Sequence, residues 1–355
     1  MNKTNKNSGW KIFLVGFLII AALMVISNWR TRKGLSLTVA NNKGTSCLQT
    51  VDTSLVVVFQ DGQVCVWDWK DLSKPCQQFK VFSDRAVFFA GNKLGATVQT
   101  AAGSTLLTVY DLSNGKKQRE IRVGSTSDEV WPAVSPDRKL ILIARQVSVG
   151  GKERFEYEFM RLDLENEILS PPAVVSIAQP AESIVDFAVT DDGRVIAGGI
   201  KEGKGRLLAL SLDSGRILWE RSYDDTKEFC SVFIYPANAA VYAGNRDGAL
   251  YRVALDTGEM QKKITLLREG ETRTVTNDVS VLNLSGDKKG QYIAATITPV
   301  SYIIDARSDT LYHRWSTAHR LSSKIVFSPD NQYVATSDIR AGWPIDIWDL
   351  KKFKK

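Results

Sequence analysis

Residues 230–265 read CSVFIYPANAAVYAGNRDGALYRVALDTGEMQKKIT. Four runs rich in Val, Ile, Ala, Leu and Tyr, at Cys230 to Tyr235, Ala239 to Gly244, Ala249 to Leu255 and Met260 to Thr265, are parted by short groups of Pro, Asn, Asp and Gly. Each run is too short for a helix, and Asp247-Gly248 is a hairpin dipeptide, so the stretch predicts four antiparallel strands joined by tight turns. The same unit precedes it, at Val185 to Val189, Val195 to Gly199, Gly205 to Leu212 and Ile217 to Ser222. Further first strands are expected near Cys47, Ala86, Val130, Val279 and Lys324. Each is followed by a tight turn, near positions 52, 91, 136, 191, 236, 286 and 329 across the whole series, and Ser135-Pro136-Asp137 closely matches Ser328-Pro329-Asp330.

A multi-strand unit repeating every roughly 40 to 50 residues is the sequence signature of a β-propeller. Seven starts predict seven blades. The last unit offers only three strands, Lys324 to Phe327, Tyr333 to Thr336 and Ile345 to Trp348, while Leu35 to Val39 is a spare strand before the first full unit. That spare strand is expected to complete the last blade and so remove the open edges of the ring. The predicted fold is all-β: a seven-bladed β-propeller of four-stranded antiparallel blades over residues 35–350.

The dipeptide that ends several third strands adds a resemblance. Val66-Trp67-Asp68, Val109-Tyr110-Asp111 and Ile347-Trp348-Asp349 resemble the Trp-Asp ending of WD-repeat propellers, over about residues 35 to 350. The Gly-His dipeptide of that family is absent throughout, so its buried histidine network cannot form here. Leu212-Asp213-Ser214-Gly215 followed by Trp219, and Leu255-Asp256-Thr257-Gly258, look like the repeats of quinoprotein-type propellers, including those of outer-membrane assembly scaffolds. As residues, these motifs shape the turn between two strands and dock an apolar side chain.

Ahead of the repeats, Ile12 to Ile26 is an uninterrupted apolar or small-residue run. It is bracketed by Trp10 and Lys11 on one side and by Trp29, Arg30, Arg32 and Lys33 on the other. A helix of this length matches the ~30 Å hydrocarbon core, with both indoles at the interfaces. The expected organisation is a basic tail at 1–11, one transmembrane anchor at 12–28, a basic linker at 29–34, the propeller, and a basic tail at 351–355. A cleaved signal peptide is the alternative reading of the same segment. Lysines and arginines on the two flanks nearly balance; the commoner arrangement, with the short tail in the cytoplasm, places the propeller outside it.

The formal charge of +7 resides at the two ends. Lys3, Lys6, Lys11, Arg30, Arg32 and Lys33 lie beside the anchor, and Lys351, Lys352, Lys354 and Lys355 close the chain; the remainder carries slightly more acid than base. A nucleic-acid partner is not expected, because its phosphates call for a basic domain. Four dispersed cysteines and two histidines, His313 and His319, give no metal or nucleophile motif, and no cofactor is expected. The expected activity is binding: a membrane-tethered scaffold, held in lipid by the N-terminal helix, that takes a protein or membrane complex on its loops. An exported propeller hydrolase or oxidoreductase with a divergent channel site is the alternative. The resemblance implies that partners meet the face where second-to-third-strand loops and blade junctions gather. Its candidate residues are Lys152, Arg154, Lys201, Lys204, Arg206, Arg246, Arg340 and Trp343.

Overall fold

The computed structural model describes residues 35–39, 44–81, 87–90, 93–99, 103–125, 129–149, 154–163, 166, 168–178, 182–267, 281, 283–297, 300–316, 324–338 and 345–353. Their strands pair into seven antiparallel sheets. The fifth sheet consists of Phe229–Tyr235, Ala240–Asn245, Ala249–Ala254 and Met260–Thr265, within a residue of the four runs read from the sequence. The fourth consists of Glu182–Val189, Arg194–Lys201, Lys204–Ser211 and Ile217–Tyr223. In the third sheet the outer strand is split into Ile168–Leu169 and Ala173–Ala178, both paired with Arg154–Asp163. Pro171 and Pro172 lie at the break, where their missing N–H groups interrupt the ladder.

The first strands of the sheets line up around one axis. Thr45–Val51, Val87–Ala90, Glu129–Val134, Glu182–Val189, Phe229–Tyr235, Asn283–Gly286 and Lys324–Phe327 each contact the next, and the last contacts the first. The architecture is an all-β propeller of four-stranded antiparallel blades. Leu35–Val39 pairs antiparallel with Ile345–Asp349, with Leu37 opposite Ile347 and Val39 opposite Ile345. One sheet thus joins the two ends of the propeller, and Leu35 lies where the strand Ile345–Asp349 finishes.

The core is divided between the sheets rather than held within any of them. Successive side chains on a strand point to opposite faces, and here both faces are covered. Val195 and Leu208 pack toward the third sheet, with Leu142 and Phe159. Their chain neighbours Ile196 and Leu207 pack toward the fifth, with Phe229 and Tyr251. Every hydrophobic cluster is shared in this way by two adjacent sheets. This explains why the second and third strands read as continuous apolar runs, whereas the outer strands, such as Met260–Thr265, are mostly exposed.

Turn chemistry accounts for the recurring Ser-Pro-Asp motif. Ser328 Oγ donates to Asp330 Oδ1 at 2.7 Å and accepts the Tyr333 N–H at 2.9 Å, while Asp330 accepts the Gln332 N–H at 3.0 Å. Ser135 and Asp137 repeat these bonds, and Thr190 with Asp192 makes the threonine version. Each turn needs one residue at positive φ, supplied by Asn331, Arg138 and Gly193 respectively. Ser328 is buried, so Ser328→Ala leaves the Tyr333 N–H without its acceptor. It is expected to lower the unfolding free energy by about 1–3 kcal/mol, measured by urea titration; an unchanged midpoint would remove this hydroxyl from the account of the turn.

The turns between third and fourth strands explain the second motif. Leu212 and Leu255 are buried, and the N–H of Leu255 bonds to Ala239 O at 3.1 Å, tying two turns of one blade together. Trp219, on the outer strand of the fourth sheet, reaches across to the fifth: its Nε1 donates to Leu255 O at 2.9 Å. It lies against Gly258, where a Cβ would come within 2.6 Å of the indole. Phe79 covers Gly115 of the next sheet in the same manner. The glycine in these turns is required both by its positive φ and by the neighbouring blade's ring.

The chain ends modify the expected domain limits. The anchor at 12–28 and its flanking Trp10, Lys11, Trp29, Arg30, Arg32 and Lys33 lie outside the described residues. Among the described residues no helix is long and apolar enough to cross a membrane. The basic tail drawn from residue 351 begins inside a short 3-10 helix, Leu350–Phe353, which is part of the folded domain. Leu350 and Phe353 are buried, and the Phe353 ring stacks on His313 at 4.1 Å and meets Trp315 at 5.2 Å. Lys351 and Lys352 remain exposed on this helix. The pattern of lysines hid a phenylalanine that packs.

Candidate functional site

The face formed by second-to-third-strand loops receives several of the predicted residues. Lys201, Lys204 and Arg206 share one hairpin, with Lys201 directly opposite Lys204. They are not a row of free cations. Lys201 Nζ lies 2.9 Å from Glu220 and 3.9 Å from Glu182; Arg206 lies 3.0 Å from Glu220 and 3.5 Å from Glu182. Burial alone raises the Glu220 carboxyl, but the Lys201 hydrogen bond and the Arg206 charge hold it below its ordinary value. Lys204 pairs with Asp224 at 2.7 Å, and this bond raises the lysine above its usual range.

Arg206 requires a correction, because its side chain is only 5% exposed and belongs to the interior of this network rather than to the surface. The residue opposite it is Gly199, where a Cβ would come within 2.0 Å of the Ser183 carbonyl oxygen of the first strand. Its position inside the strand Lys204–Ser211, between the buried Gly205 and Leu207, is the signal that distinguishes it from a loop cation. Arg246 is 60% exposed and pairs with Glu228 at 2.9 Å. Arg154 begins the strand Arg154–Asp163, and its side chain lies outside the described residues, as do Lys152, Arg340 and Trp343 entirely. What this face offers is therefore paired charge, with Lys204 and Arg246 reaching solvent.

A second concave feature was not singled out by the sequence. A cavity of about 520 Å³ opens on the side of the first-to-second-strand turns, and another of about 470 Å³ adjoins it. Both are lined by Gln49, Phe233, Ser285 and Val326, so they form one central channel between the first strands. Cys47 and Lys324 line the second cavity, toward the starts of their first strands at the blade-junction end. Nearby, Asp186 Oδ2 accepts the Val232 N–H at 2.7 Å, bonding the fourth sheet to the fifth.

Burial pushes the Asp186 carboxyl up to about 6, against the opposing pull of the Val232 and Phe187 N–H groups and the Lys324 charge. Burial likewise pushes the Cys47 thiol up to about 11, with Lys324 opposing. A thiol held there is protonated at neutral pH and is a poor nucleophile. The group brings together positions 47, 186 and 324, too far apart in the chain for any local motif; the only sequence signal is a charged residue within an otherwise apolar first strand. His313, in the strand Thr310–Ser316, is occupied by its stack on Phe353, and His319 lies outside the described residues. The described residues include all four cysteines, and no disulfide joins them. Nor do the described residues contain a group of three or more His, Cys, Asp or Glu side chains placed to hold a metal ion.

Comparison with known proteins identifies the architecture. No protein-family model matches the chain, and no curated protein matches it. Solved structures do: the β-propeller domain of Cps50 (Swd1) from Myceliophteria thermophila superposes with a TM-score of 0.60 at 16% identity, covering 88% of this chain and 99% of that one. At that identity the likeness establishes the β-propeller fold alone. Some 1400 solved chains match, so the fold by itself selects no activity.

Proposed function

We propose that this protein is a membrane-tethered interaction scaffold: a divergent, seven-bladed propeller of the WD-repeat kind that presents its blade-junction loops to a protein partner. The observation that carries the reading is the position of the closure strand. Leu35 lies beside Trp348, at the end of the last third strand, and the 3-10 helix Leu350–Phe353 continues from that same end. A tether entering at Leu35 therefore approaches from the side of the first-to-second-strand turns, and the loops carrying Lys204 and Arg246 face away from the bilayer. Seven sheets in cyclic contact support the blade number. The Trp348 indole, which donates to Thr336 Oγ1 at 2.9 Å in the core, supports the WD-repeat kinship. The apolar run Ile12 to Ile26 with its tryptophan brackets supports the tether.

Site-specific photocrosslinking tests the orientation in intact cells. A photoreactive residue at Lys204 or Arg246 is expected to trap a discrete protein partner, and the same residue at Lys352 is expected to trap none. Equal adducts from both faces, or adducts from Lys352 alone, would overturn the orientation. Release of the protein by alkaline carbonate from membranes that retain known integral proteins would overturn the tether.

A further inference from the structure

We propose that the turn-side mouth of the central channel binds a small organic anion, a carboxylate or a phosphate, whose oxygens are received by the Arg138 guanidinium, with Lys324 adding a longer-range positive charge from further along the channel. Arg138 starts in the third blade and crosses the mouth to the first, where its Nη2 donates to the Thr50 carbonyl. Its Nη1 is sealed from solvent and has no hydrogen-bond partner. The guanidinium is thus fixed at one end and unsatisfied at the other, against the wall of a cavity of about 520 Å³. That volume lies in the ordinary range for a small-molecule site.

Two further observations separate Arg138 from an ordinary surface arginine. Its backbone has φ +63 in the Ser-Pro-Asp turn, at the position taken by Gly193 and Asn331 in the matching turns. A long side chain at a position suited to Gly or Asn is strain retained against local preference, which is expected where a side chain has a task. Among the described residues, moreover, neither Arg138 nor Lys324 forms an ion pair. The Asp52 charge acts on Arg138, and the Lys324 charge acts on Asp186. Asp287, which also lines the mouth, is already occupied by the Tyr235 hydroxyl, the Asn331 amide and the N–H groups of Lys289, Gln291 and Tyr292. A planar guanidinium that lines the cavity and keeps one donor without a partner is suited to an oxyanion.

The test is thermal unfolding of the full-length protein in detergent, with inorganic phosphate, sulfate, succinate or citrate titrated at constant ionic strength balanced by chloride. A saturable rise in the unfolding midpoint with at least one of these probes is expected. The apparent Kd should increase at least tenfold in Arg138→Gly, which the turn accommodates as it does Gly193, and severalfold in Lys324→Met. Phosphate or sulfate acting alone identifies a phosphate-type ligand; succinate or citrate acting alone identifies a carboxylate. No saturable rise with any probe, or an undiminished rise in both variants, would overturn the proposal. The test does not depend on the scaffold reading, because it is scored without a protein partner.

Discussion

Trp219→Ala is expected to destabilise the propeller by about 3–5 kcal/mol, the range for deleting a large buried aromatic. The indole is shared between blades, so the loss has two parts. A cavity opens beside Gly258 and among the edge-to-face rings of Tyr223, Phe229 and Tyr251, whose centroids lie 5.2 to 6.0 Å apart. The Leu255 carbonyl also loses its indole donor. Trp219→Phe separates the two, since it keeps a ring against the glycine and removes only the N–H, at an expected loss of about 1–2 kcal/mol. Urea unfolding of both variants provides the measurement. A loss below about 1 kcal/mol for the alanine variant would mean that the blades are held together elsewhere.

The second large effect has the opposite sign. Asp186→Asn is expected to stabilise the protein at neutral pH, by up to about 3 kcal/mol from the 1.36 kcal/mol carried by each pKa unit. The folded-state value of about 6 lies above the ordinary 3.8, so the native protein holds this proton more tightly than the unfolded chain does. Stability from this group is thus present at low pH and declines as pH rises from about 4 through 6; above that window the full cost of ionising this half-buried, desolvated carboxylate is felt. Asparagine keeps an oxygen for the Val232 N–H and carries no charge, so the variant should lose this part of the pH dependence. Thermal midpoints from pH 4 to 8 decide it. A variant less stable than wild type at pH 7.5 would show that the carboxylate stabilises the junction between the fourth and fifth blades.

The two variants also mark where sequence reading succeeded and where it stopped. The strands around residues 185–265 were legible because each is bounded by Asp, Asn, Gly or Pro and because the period repeats. Leu35–Val39 was legible as the missing fourth strand because the last unit was one strand short. Turn motifs at Leu212 and Leu255 were legible as docking sites, since an apolar residue between two polar turn residues has to be buried somewhere. Arg206 was misplaced because a charged residue near a hairpin reads as exposed, although it falls inside a strand whose adjoining residues are buried. Phe353 was overlooked among lysines. The channel group of Cys47, Asp186 and Lys324 was not legible at all, because its members are adjacent only once the ring has formed.

The pairing of Leu35–Val39 with Ile345–Asp349 also sets the order of events during synthesis. The strand that completes the last blade is the first of the domain to leave the ribosome, and its partner is nearly the last. Until then both edges stay open to strand pairing by other chains, and the closing step brings together segments nearly a whole domain apart in sequence, the slow class of contact. Translation that stalls in the final blade would therefore leave an almost complete ring with two adhesive edges, and co-translational protection is most needed until that blade has been made.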